Sequence, residues 1–180
     1  MKRGMLLTLG LVICASHAAL AQDRAAAPTG VRGDLLAQLD DAASKLEQLG
    51  QAIPQDKYSW RPGSGVRSVG EVLEHVTGGN YFLLSFAGVK APSNLPKLDS
   101  TATSAQVLEQ LRRSFDHVRG AIRGMTDADL AKPATMFGRQ TTYRGVLLTT
   151  VTHAHEHLGQ LIAYARSSGV VPPWSREGSN

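Results

Sequence analysis

Cysteine is almost missing from this chain. Of 180 residues only Cys14 is a cysteine, and it lies in an amino-terminal stretch with the grammar of a secretory signal peptide. Lys2 and Arg3 precede an apolar run from Met5 to about Ala15, and Ala19-Leu20-Ala21 follows as an A-x-A cleavage pattern. The run is too short to span a bilayer, and no later stretch is long and apolar enough to do so. Cleavage after Ala21 leaves a chain with no cysteine, which excludes disulfides, thiolate ligands and a cysteine nucleophile. Charge of one sign is also scarce. Removing Lys2 and Arg3 from 19 basic residues leaves 17 against 15 acidic ones, a net charge of +2. That is no electrostatic footprint for nucleic acid. Period-two alternation is lacking too, so no convincing strand is expected.

What remains is helical periodicity. After an Ala/Pro/Gly-rich leader at 22–30 come four amphipathic segments. The first, about 31–52, carries Leu35, Leu39, Ala42, Leu46, Leu49 and Ile53 at three- and four-residue steps. The second, about 68–87, opens with Ser68-x-x-Glu71, a capping-box pattern. The third, about 103–125, holds its seam through Leu108, Leu111, Phe115, Val118, Ile122 and Met125. The fourth, about 142–168, ends at Gly169, with Pro172-Pro173 beyond. The linkers "QDKYSWRPGSGVR", "KAPSNLPKLDS" and "DADLAKPATMFGRQT" are rich in breakers, and the last has room for a helical turn near 126–130. The pattern predicts an all-α four-helix bundle over 31–171 with a carboxy-terminal tail at 172–180. The linker lengths permit crossover connections.

Histidine is where the chemistry gathers. "THAHEHLGQ", 152–160, has three at alternate positions. At about 100° per residue, His153 and His157 share a stripe of the fourth helix with Val146, Thr150, Gln160 and Tyr164, and His155 falls roughly 200° from His153. An i, i+4 pair can reach one ion, as in the H-E-x-x-H zinc motif. On the second helix His75 shares its face with Val72, Gly79, Phe82 and Phe86 and is expected to point inward. Gly78-Gly79 cost on the order of 1 kcal/mol each relative to alanine, a sign of close packing or of room for a ligand. The pattern alone also fits buried histidines that hold no ion. His117, opposite Phe115 on the third helix, is expected to face solvent, and His155 to sit at the helix margin. Glu74 and Glu156 are expected to point away from the candidate ligands.

"WRPGSGVRSVGEVLEHV", "THAHEHLGQLIAYAR" and the closing "GVVPPW" together resemble the DinB/YfiT-like superfamily of metal-dependent four-helix bundle proteins, over about 31–175. The most specific part is the histidine before Leu158-Gly159-Gln160 with another four residues earlier. The resemblance implies a bundle fold, a metal triad of His75, His153 and His157, and chains that are often dimers. Where the family often has a basic residue directly before Gly-Gln, this chain has Leu158. Three imidazoles suit Zn²⁺, Ni²⁺ and related divalent ions, and three protein ligands leave an open position, the arrangement of catalytic sites. Glu71, one turn before His75, is a candidate hydrogen-bond partner for it as well as a helix cap. Gly79, Gln160 and Tyr164 are candidates to line the pocket. Two functions follow from these residues: an exported, periplasmic or secreted metal-dependent enzyme of hydrolase or thiol/transferase type acting on a small molecule, or a non-catalytic bundle that binds a metal or a small ligand.

Overall fold

The computed structural model describes residues 28–98 and 101–176; the expected signal peptide and most of the leader lie outside them. Four long helices form where the apolar seams are: α1 (Gly30–Ala52), α2 (Val69–Ser85), α3 (Ser104–Gly124) and, after the short α4 (Asp127–Leu130), α5 (Tyr143–Ser167). Each seam is buried, from Leu39 and Leu46 of α1 through Phe115 of α3 to Leu147 and Leu161 of α5, all at 0% exposure. Burial of such stripes, more than helix propensity, is what makes amphipathic segments of this length helical. Among the described residues no helix is long and apolar enough to cross a membrane.

The helix ends obey local chemistry. Ser68 accepts the Glu71 N–H while the Glu71 carboxylate accepts the Ser68 N–H at 2.6 Å, closing a full capping box. Thr103 and Gln106 do the same for α3. At the far end of α5, Gly169 adopts a φ of +82°, which lets the chain turn off the helix.

α2 packs against α3 and α5, and α1 packs against the same two helices. Consecutive α1 and α2 are therefore not the principal neighbours, and the 53–68 linker crosses the end of the bundle. Buried Tyr58 fastens it. Its hydroxyl donates to the Gly50 carbonyl at 2.9 Å, and burial pushes its pKa up to about 12. Trp60 from the same linker sets its ring against Tyr164 of α5, with centroids 5.5 Å apart. Beyond α5, residues 173–175 form a 3₁₀ turn, and Trp174 packs onto the core.

The expectation of no strands fails in the third linker. Pro133–Met136 (β1) and Arg139–Thr142 (β2) pair antiparallel, with Met136 opposite Arg139, so Phe137-Gly138 is a two-residue hairpin loop. The strands are four residues each, too short for alternation to show. They pair with each other and lean on α5, with Ala134 of β1 buried in the core and Met136, on the same face, packed against it.

Candidate metal centre

α2 and α5 lie side by side, and they bring His75 to the His153–His157 pair. His153 Nε2 stands 3.2 Å from His75 Nε2 and 3.1 Å from His157 Nε2. One ring nitrogen from each of the three lies within 4.8 Å of the others. Two imidazole nitrogens bound to one ion at about 2.1 Å, at tetrahedral to right angles, stand about 3.0–3.4 Å apart. The spacing present therefore fits a shared divalent cation. The rings meet edge to face, with centroid separations of 4.5–5.0 Å, so their nitrogens converge and their planes do not stack.

Protonation agrees with this geometry. Burial, reinforced by the positive charge that His157 and His75 would carry, lowers the His153 pKa to about 4. Burial and the Arg67 guanidinium lower that of His75. Both rings are neutral at pH 7, the state in which imidazole ligates. His157, 7% exposed, is oriented from behind. Its Nδ1–H donates to Gln160 Oε1 at 2.7 Å, and Gln160 Nε2 donates to the Tyr164 hydroxyl at 3.0 Å. With the proton on Nδ1, the lone pair of Nε2 faces the other two histidines. The chain from Tyr164 through Gln160 is the outer support that metal-ligating histidines usually have. It is held in turn by Trp60 of the W-x-P linker. His153 differs: its Nδ1 is buried and has no hydrogen-bond partner among the described residues.

Gly79 explains how His153 fits. A Cβ at Gly79 would lie 2.5 Å from His153 Cε1, so the ring rests directly on the α2 backbone; at Gly78 a Cβ would meet nothing within 4 Å. Only one of the adjacent glycines is demanded by packing.

Other expectations need revision. Glu71 is not turned to His75: its oxygens take the Ser68 N–H and a 3.2 Å ion pair with Arg61, although it lines the same cleft. Glu156 does not point away, since its charge acts on both His75 and His153; Glu74 stands between two clefts, one of them lined by Thr77, Gly78 and Tyr81. Glu74 lines a cleft of about 890 Å³ with Arg61, Arg67, Glu71, His75 and Gln160. Glu156 lines one of about 350 Å³ with His75, Gly79 and His153. Both sit at the margin of the ligand stripe, where the bundle surface is open. Phe82 is not inward but 56% exposed. His117 is half-buried against Tyr81, ring centroids 5.2 Å apart, and burial lowers its pKa; the tertiary cover from α2 overrides its place on the polar side of α3. His155 stays out of the cluster and binds the Val151 carbonyl through Nδ1 at 3.0 Å.

The chain belongs to the DinB superfamily, whose family profile matches residues 38–161. It is 26% identical over 129 residues to the uncharacterized protein YjoA of Bacillus subtilis, covering 68% of this chain and 80% of that one. The crystal structure of the B. subtilis DinB-like protein superposes with a TM-score of 0.63 at 19% identity, over 76% of this chain and 92% of that chain. A DinB-like protein from Bacillus cereus gives 0.66 at 19% identity, over 77% and 93%. A DinB-family structure from Exiguobacterium sibiricum gives 0.63 at 23%, over 78% and 93%. These likenesses establish the bundle fold.

The outer support is testable. Gln160→Leu removes the acceptor that orients His157 and is expected to weaken metal binding about 10–100-fold. Gln160→Glu, which keeps an acceptor at that place, holds affinity near wild type. Competition against a chromophoric chelator measures both.

Proposed function

We propose that this chain is an exported, metal-dependent enzyme of hydrolase or thiol/transferase type, built on a site of His75, His153 and His157 that takes a divalent ion, zinc or nickel. The observation that carries the reading is the convergence of three imidazoles, with His153 Nε2 3.2 Å from His75 Nε2 and 3.1 Å from His157 Nε2 and one nitrogen of each within 4.8 Å of the others, beside two open clefts. A bound ion would act as a Lewis acid, lowering the pKa of a water or thiol and polarising a substrate oxygen or sulfur. The chain supplies the rest. Gln160 and Tyr164 hold the His157 tautomer, and Arg67, with no hydrogen bond or ion pair among the described residues, adds positive charge at one mouth. Glu74 on one cleft wall and Glu156 on the other are the carboxylates placed to take a proton from a nucleophile.

The experiment separates an enzyme-type site from a non-catalytic binder. Metal-free protein titrated with Zn²⁺ or Ni²⁺ is expected to take up one ion per chain, and the loaded protein to bind acetohydroxamate. An ion held without hydroxamate binding would mean a closed coordination shell and would favour the binder. Export rests on Lys2, Arg3, the apolar run and Ala19-Leu20-Ala21. Amino-terminal sequencing of the mature protein checks it, with Gln22 expected first.

A further inference from the structure

Phe137 sits where a phenylalanine is costly. It is the first central residue of a two-residue hairpin loop, at φ 51°, followed by Gly138 at φ 76°. Loops with both central residues at positive φ strongly favour Asn-Gly, because a bulky side chain is strained in that region. Core burial does not offset the strain, since Phe137 is 64% exposed. Its ring instead joins Phe82 of α2 and Phe86 at the C-cap of α2: it lies 5.2 Å from Phe86 and 6.1 Å from Phe82, and those two are 5.2 Å apart. Phe82 and Phe137 together leave an aromatic surface open beside the candidate metal centre. They form one side of the cleft of about 350 Å³ whose other walls include His75, Gly79, His153 and Glu156.

We propose that the cleft faced by Phe82 and Phe137 is a subsite for an apolar arm, aryl or branched alkyl, of a substrate whose metal-binding head reaches His75 and His153. The proposal rests on the metal reading above. Concave apolar walls with a few convergent polar groups are the usual form of a small-molecule site. A second copy of the chain pressed onto the rings would also cover the Glu156 carboxylate, which has no ion pair among the described residues, and burying an unpaired charge is expensive. A slender arm lying in the cleft along the rings leaves that carboxylate hydrated. Phe137 is then a specificity-determining residue, and the hairpin exists to present it.

The test uses zinc-loaded protein and two hydroxamates with the same head, acetohydroxamate and phenylacetohydroxamate, titrated by calorimetry. Wild type is expected to bind the phenyl compound at least about tenfold more tightly. Phe137→Asn, which suits the turn, should cut that preference to within about twofold. It should leave acetohydroxamate binding unchanged and Tm at or above wild type. Phe82→Ala should also reduce the preference. Equal affinities in wild type would overturn the proposal, as would a preference untouched by both substitutions. So would a wild-type dimer that Phe137→Asn converts to monomer, which would make the rings a self-interface. If neither hydroxamate binds the loaded protein, it is the open metal position that fails. The subsite is then judged with benzyl alcohol, which has no need of the ion. Saturation-transfer signals in wild type that vanish in Phe137→Asn support it, and their absence in wild type overturns it.

Discussion

His157→Ala is expected to release the stoichiometric ion, whereas His155→Ala keeps it. The two histidines are two residues apart on one helix and differ only in direction. His157 is buried, is aimed by the Nδ1–H bond to Gln160, and places Nε2 3.1 Å from that of His153. His155 is tied to the Val151 carbonyl on its own helix. Losing His157 leaves two ligands on two helices and removes the one ring that is oriented from behind. The loss should exceed the roughly 10–100-fold that removal of an outer support costs. Metal content after dialysis, read by elemental analysis, distinguishes the variants. Circular dichroism should show both folded, because the core seams do not pass through either residue. Equal metal content in the two would count against the ligand set.

The second large effect is expected at Gly79, with Gly78 as its internal control. Both positions carry the same helix-propensity penalty, so alanine at either gains up to about 1 kcal/mol from that source. At Gly78 nothing opposes the gain, since an added Cβ meets open space. Gly78→Ala should raise Tm and leave metal binding alone. At Gly79 the Cβ would sit 2.5 Å from His153 Cε1 and 3.1 Å from its Nδ1, so the ring must swing away. A metal-free protein tolerates that movement, because an imidazole can rotate. A ligating one cannot, since sites of this kind require placement within about 0.5 Å. Gly79→Ala should thus give a folded protein with metal affinity lower by on the order of a hundredfold. Thermal melts with and without Zn²⁺ read both effects: the ion should stabilise wild type and Gly78→Ala strongly, and Gly79→Ala little.

Much of the fold is written in local pattern. Leu35 through Ile53, and Leu108 through Met125, repeat at helical steps because one face of each helix must be buried, and Ser68-x-x-Glu71 marks a helix start because orphan N–H groups need acceptors. The wheel likewise separates His155 from His153 and His157, since a helix turns by a fixed angle per residue. What could not be read depends on neighbours distant in sequence. His117 is on the polar side of its helix until Tyr81 covers it. Phe82 shares a wheel position with His75, yet the bundle is open there and the ring remains exposed. Glu74 and Glu156 lie at the edges of the ligand stripe, where the surface shape of the folded bundle decides which way a long side chain faces. The hairpin at 133–142 is not legible in the sequence because its strands are short and its loop carries Phe-Gly in place of the Asn-Gly that announces such a turn. That departure from turn chemistry is also what makes Phe137 informative once the structure places it beside the histidines.

The most direct measurement is a crystal structure of the zinc- or nickel-loaded protein with anomalous data collected at both absorption edges. One peak is expected about 2.0–2.3 Å from the Nε2 atoms of His75, His153 and His157, with at least one coordination position not filled by protein. A loaded crystal with no peak among these three nitrogens, or with the ion held by other residues, would contradict the account.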